Sequence, residues 1–302
     1  MAKELSIFVD ESGDRGGKAR YYPLVLVFHD QEGSIAEAVT GYEAKLVRAD
    51  LPNIPFHSEP LVNGHKDYEF LDIEQRKVML ARFSSFVRKL PISYITFVYH
   101  RSQFEDPARL MERMGRDISS AMIEHLGFFQ SFDDVKVYYD NGQDIVIQAL
   151  DRSVGKVLSK GVVRRRKTSM TDYRLEQVAD YLCTIELALV KYEAKENGET
   201  YNKFFGGYRF FQEELVQASP QQADIGGSAV SQGAVVSPPA RAPSDTLRAA
   251  IAKRKQRRRG RLVRHSVHVV ISYRLSVVAE DSRRWPHPFS GAPTPTFSTQ
   301  GV

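Results

Sequence analysis

Three carboxylates fall within five residues near the start of the chain, in Asp10-Glu11-Ser12-Gly13-Asp14. Such groups repel one another unless a cation or a set of hydrogen-bond donors sits among them. Two further acids stand far away in sequence. Asp140 closes the run Val135-Lys136-Val137-Tyr138-Tyr139, and Asp180 follows Gln177 by three residues, so both project from one helix face. Two strand-end acids and one helix acid could converge on one or two divalent cations. Hard oxygen ligands of this kind suit Mg2+ or Mn2+. In two-metal phosphodiester hydrolysis, one ion activates water while the other stabilises the leaving oxygen. On this reading Asp10, Asp140 and Asp180 are the metal ligands and Glu11, Glu59 and His57 support them. His57 is two residues from Glu59 and could orient the attacking water or protonate the leaving oxygen.

Each of these residues also has a quieter explanation. An acidic turn after a strand is commonly held by Asx-type hydrogen bonds, and Asp140-Asn141-Gly142 is good turn chemistry in any protein. A lone loop histidine more often serves the surface or the packing. Asp180 is harder to dismiss. It lies between Ala179 and Tyr181, beside an apolar stripe, where a carboxylate without a partner is expensive. Two other uses of the first cluster fit less well. A calcium-binding EF-hand loop needs glycine at its sixth position and glutamate at its twelfth, where this chain has Arg15 and Tyr21. An Asp-nucleophile phosphatase would place a second Asp two residues after Asp10, where Ser12 stands.

The elements that must position these groups are legible from periodicity. Leu5, Ile7 and Val9 alternate with Ser6, Phe8 and Asp10, which predicts a buried central strand delivering Asp10 and Glu11 to its C-terminal end. In open α/β sheets, that end is where chemistry usually sits. Tyr21 to Phe28 reads as a second strand, antiparallel to the first, and Ser34 to Val47 as a helix that Gly41 weakens. Leu51 to Phe70, with three prolines, His57, Glu59 and His65, reads as a long polar loop.

Beyond it, a helix is predicted over Ile73 to Lys89, with Val78, Phe83, Phe86 and Val87 on its apolar face, and then a strand over Ile92 to Tyr99. Asp106 should cap a helix running from Pro107 to Gly127. A strand follows at Val135 to Tyr139 and a helix at Asp144 to Lys156. Lys160 to Lys167 reads as an edge strand whose Arg164, Arg165, Arg166 and Lys167 either track phosphates or guard the edge. The strongest helix is Tyr173 to Ala194, with Leu175, Val178, Leu182, Ile185 and Leu189 as its stripe and Cys183 as a small core residue. Tyr208 to Val216 reads as a closing helix. Helices alternating with strands after an opening strand pair predict a mostly parallel α/β sheet with one antiparallel member.

Composition changes at Ser219. Residues 219-302 hold 13 Lys+Arg against 4 Asp+Glu and 8 of the 14 prolines, whereas residues 1-218 hold 29 against 33. The net charge of +5 therefore belongs to a basic, Pro/Gly/Ser-rich tail, expected to be disordered, and not to a mildly acidic body. A single cysteine excludes an intramolecular disulfide and suits a reducing cytoplasm. No stretch has the layout of a signal peptide or a membrane helix.

Phe8-Val9-Asp10-Glu11-Ser12-Gly13-Asp14, with Gln177-x-x-Asp180 near the end of the body, resembles the prokaryotic family numbered 3800 among domains of unknown function. His57-Ser58-Glu59, followed by Gln75-Arg76, looks like that family's middle segment, as does Tyr139-Asp140. The resemblance covers roughly residues 4 to 195. It implies a ribonuclease H-like mixed sheet flanked by helices. In that fold the acids come from the first strand, a later strand end and a C-terminal helix. By resemblance these are Asp10, Asp140 and Asp180, with Glu11 or Glu59 as a fourth.

The expectation is a ribonuclease H-like domain over 1-218 that hydrolyses the phosphodiester bonds of DNA or RNA with Mg2+ or Mn2+, away from membranes. The alternatives are a non-catalytic nucleic-acid- or protein-binding module on the same fold and, less favoured, the phosphatase.

Overall fold

The computed structural model describes residues 2–12, 19–104, 106–139, 143–158, 163–166 and 173–216, of which 163–166 are described by backbone alone. Asp14, Asp140, Lys167 and the tail 219–302 lie outside the described residues.

Five strands form one sheet in the order β3-β2-β1-β4-β5. They are β1 (Glu4–Glu11), β2 (Tyr21–Asp30), β3 (Ile92–His100), β4 (Asp134–Tyr138) and β5 (Val163–Arg166). β2 runs antiparallel to both its neighbours, while β1, β4 and β5 pair in parallel. This is the expected mixed sheet with one antiparallel member.

The alternation along β1 sorts its side chains into two layers. Leu5, Ile7 and Val9 enter one core, whereas Phe8 enters the other. All four are at most 2% exposed. Each such side chain contributes roughly 1.5–3 kcal/mol of burial. A one-residue slip would exchange the faces, so the register is strongly specified.

Helices cover both faces. On the Phe8 side lie α1 (Ala36–Arg48), α2 (Ser58–Asn63) and α3 (Ile73–Val87). On the Leu5 side lie α4 (Pro107–Glu124), α5 (Leu126–Gln130) and α6 (Asp144–Val157). The Phe8 side is completed by α7 (Arg174–Glu193), α8 (Glu199–Phe205) and α9 (Tyr208–Phe211). Among the described residues, no helix is long and apolar enough to cross a membrane.

Four expectations need correction. Residues 51–70 are not an open loop. Phe56, Leu61, Val62 and Tyr68 are buried, with Phe56 stacked on Phe83 at 3.8 Å between ring centroids, and this anchorage folds the segment into α2 and a 3-10 turn at Lys66–Tyr68. Val78 is 39% exposed, because Met79, Leu80, Phe83, Phe86 and Val87 form the stripe that α3 buries. The helix begun at Pro107, capped by Asp106 as expected through a 2.8 Å bond from the Arg109 amide, stops at Glu124. His125 leaves helical geometry there and α5 starts anew. The closing helix holds α-form only over Tyr208–Phe211, and Gln212–Val216 widens to a π-helical turn.

Candidate active site

The pleat of β1 turns Asp10 toward α7 and Glu11 toward the opposite core. The α7 face that meets Asp10 carries Glu176, Asp180 and Cys183, spaced at four and three residues, which stacks them along one side of the helix. Glu176 is 1% and Asp180 7% exposed.

Although Asp10 retains some surface, its carboxyl lies deep among protein atoms. This desolvation is the main cause that pushes its pKa well above the usual carboxylate range. The charges of Asp180, Glu11 and Glu176 push the same way, and a hydrogen bond from the Cys183 thiol acts against them. Burial and the nearby Asp10 also raise the Cys183 pKa, keeping it a thiol. Cys183 is thus the small buried residue expected, and it touches the acid cluster as well.

Asp180 has its own cradle. The Ser58 amide donates to its Oδ2 at 2.6 Å, and His57 Nδ1 lies 3.4 Å from its Oδ1. One turn back on α7, Gln177 Oε1 accepts from the Phe56 amide at 3.1 Å. The i, i+3 pair read from the sequence therefore straps the 56–58 segment to α7. Tyr68 completes the clamp: its hydroxyl accepts from the His57 amide at 2.8 Å and donates to Pro55 O at 2.9 Å. Arg174 bonds Gln177, Glu43 and Asn53, fixing the start of α7 against the same segment. The Asp180 carboxylate raises the pKa of His57, more than offsetting its partial burial. The His57 side chain stays 42% exposed, and its buried atom is the Nδ1 that faces Asp180.

Glu11 and Glu59 take other hydrogen-bond partners, although the charge of Glu11 reaches Asp10 and that of Glu59 reaches His57. Tyr139 donates its hydroxyl to Glu11 Oε2 at 2.6 Å and accepts from the Gln143 amide at 2.9 Å, tying the end of β1 to the start of α6. Burial and the Glu11 charge raise the pKa of Tyr139 far beyond the ordinary phenol range, so it remains a donor. Glu59 sits on the outer side of α2, 3.1 Å from His65 Nε2 and accepting from Asn63 Nδ2 at 2.8 Å. β4 ends at Tyr138, paired with Phe8, two residues before Asp140.

The structure thus sets Asp180 beside both Asp10 and His57, turns Glu11 to the other face of β1 while its charge still reaches Asp10, and leaves Glu59 exposed on α2. Glu176 was missed by sequence reasoning, though its signal was present: it precedes Asp180 by four residues, on the same helical face.

Among the described residues, no three His, Cys, Asp or Glu side chains form a metal-ligand group. The donor chemistry nevertheless suits a divalent ion. Asp10, Asp180 and Glu176 supply hard oxygens, and their mutual repulsion is what a cation relieves. Comparison with protein-family models, with curated proteins and with solved structures finds no match to this chain.

Proposed function

We propose that this protein is a divalent-metal-dependent nuclease, hydrolysing the phosphodiester bonds of a nucleic acid on a ribonuclease H-like fold. The observation that carries the reading is that Asp180 and Glu176, buried on the last long helix, lie close enough to Asp10, at the C-terminal end of the central strand, for their charges to raise its pKa. Strand order and the resemblance at Asp10-Glu11-Ser12-Gly13-Asp14 and Gln177-x-x-Asp180 support it. Asp140 belongs to the same proposal by resemblance.

Asp10, Asp140 and Asp180 would hold Mg2+ or Mn2+, and Glu176 would add negative charge near Asp10. The ion, when bound, activates water and stabilises the leaving oxygen. The rest is done by the chain. The Ser58 amide fixes one oxygen of Asp180 and the His57 ring faces the other, which orients the carboxylate before substrate arrives. His57, held by Asp180 and partly open to solvent, is placed to hand a proton to the departing oxygen. Tyr139 holds Glu11 and so steadies the strand end that presents Asp10.

The test is cleavage of single- and double-stranded DNA and RNA by the full chain in Mn2+, Mg2+ and EDTA. Cleavage in metal and none in EDTA is expected. Binding of nucleic acid that is indifferent to EDTA, with no cleavage in any condition, would favour the non-catalytic module instead.

A further inference from the structure

A concave surface lies apart from the acid cluster, between α3 and the α8–α9 corner, with a volume of about 820 Å³. Its position follows from the sheet register. Asp10 pairs through Val25 to Thr96, at the middle of β3, whereas α3 leads into the start of β3 at Ile92, four residues earlier.

The floor is apolar. Val78, 39% exposed, and Phe210, 60% exposed, stand beside Ala81 and Leu215. Large apolar side chains left open in this way, next to one another and rimmed by charge, mark interaction sites. Ala81 and Ser85, one turn apart on α3, keep the middle of the groove shallow enough for a helix to approach.

The rim is cationic. Lys45 of α1 joins Arg82, Arg88 and Lys89 along the groove. Among the described residues, none of these four has a carboxylate partner. Lys45 Nζ donates to Ser85 Oγ at 2.9 Å, and Lys77, by contrast, is paired with Glu74. Burial lowers the pKa of Lys45, and the charges of Lys89, Arg82 and Arg88 lower it further, so the four crowd one another. Glu214 is the one acid among the described lining residues. The charge pattern excludes the chain's own tail as the natural occupant, since residues 219–302 carry 13 cations against 4 acids.

We infer that the groove between α3 and α8–α9 docks an acidic amphipathic helix of a partner protein, whose apolar stripe covers Val78 and Phe210 and whose carboxylates meet Lys45, Arg82, Arg88 and Lys89. Helix-in-groove recognition needs this pairing of an apolar floor with a charged rim. The inference does not depend on the nuclease reading, because none of these residues belongs to the acid cluster.

The probe is a fluorescein-labelled 18-residue peptide with Leu at helical i, i+3, i+4 and i+7 positions and Glu on the flanks, titrated with the full chain and read by anisotropy. Saturable binding is expected. It should weaken about tenfold in Arg82→Glu/Lys89→Glu and in Val78→Ser/Phe210→Ser, whose surface positions allow folding to be verified by circular dichroism. A peptide with Leu replaced by Ser, or with Glu replaced by Lys, should bind at least tenfold more weakly than the parent.

Absence of saturable binding would overturn the inference. Equal binding of the Leu-to-Ser peptide would do the same, showing only attraction to the basic tail. If Arg82→Glu/Lys89→Glu loses affinity for a single-stranded oligonucleotide and keeps it for the peptide, the groove belongs to nucleic acid. If Val78→Ser/Phe210→Ser instead abolishes self-association in sedimentation, the occupant is a second copy of the chain.

Discussion

The Ser58 amide donates a 2.6 Å hydrogen bond to Oδ2 of Asp180, joining residues 122 positions apart. With His57 Nδ1 at ion-pair distance, 3.4 Å, from Oδ1, the helix acid is bound at one oxygen and faced at the other by the segment that also carries the candidate proton donor. One carboxylate thus does two things: its charge reaches Asp10 at the end of β1, and it fixes the turn at residues 56–58 on α7.

Asp180→Ala should therefore cost stability as well as activity. Its loss strands the buried Ser58 amide, at roughly 1–3 kcal/mol. Asp180→Asn keeps one acceptor oxygen and should cost less while still abolishing cleavage. Urea unfolding of the two variants beside the wild type measures the difference. Equal stability of all three would deny the strap.

Asp10 predicts the opposite sign. Its folded pKa is raised above the unfolded value of 3.8, so the folded state is favoured while the group is protonated. That advantage is lost as pH rises through the folded pKa, and the metal-free protein is destabilised at neutral pH. Asp10→Asn, which carries no charge to crowd Asp180 and Glu176, should raise stability in EDTA at pH 7 by about 1–2 kcal/mol. Adding Mn2+ should raise the melting temperature of the wild type and not that of the variant. Melts in EDTA and in Mn2+ decide it.

Much of this was legible beforehand because it rests on periodicity. The two-residue alternation in β1 placed Leu5, Ile7 and Val9 opposite Phe8 and Asp10, and the stripe of α7 placed Gln177 and Asp180 on one face. What stayed hidden depends on distant partners. Nothing local marks Phe56 as a residue that stacks on Phe83, so 51–70 reads as loop until that contact is seen. Glu59 and His57, two apart, take different partners because α2 sets Glu59 against Asn63 and His65 while His57 faces Asp180. Glu176, in the first turn of α7, drew no notice because only β1, distant in sequence, gives its burial a meaning.

Tyr139→Phe removes one donor and one acceptor at once, the hydroxyl that donates to Glu11 Oε2 and the oxygen that accepts from the Gln143 amide. A loss of about 1–3 kcal/mol is expected. The change should also lower the cleavage rate, because Glu11 adjoins Asp10. Guanidinium unfolding together with a rate measurement tests both; an unchanged midpoint would contradict the account.

His29 should make stability fall in mild acid. Its Nε2 lies 2.8 Å from Gly33 O and its Nδ1 3.3 Å from Gln31 Nε2, a pattern that a neutral ring with its proton on Nε2 satisfies. Burial holds its pKa below 6.5. As pH falls through 6.5, the unfolded chain takes up the proton first, and folding stability drops by up to about 1 kcal/mol between pH 7.5 and 5.5. His29→Asn should lose that part of the slope. Urea midpoints at the two pH values report it.

The central claim is that the carboxylates of β1 and α7 act together on a metal-dependent cut. The most direct measurement is the cleavage rate of a labelled substrate in Mn2+ by the wild-type full chain, Asp10→Asn and Asp180→Asn, each shown to be folded. The account predicts cleavage by the wild type alone, with a drop of about 10²-fold or more in either variant. Undiminished cleavage in both variants would contradict it.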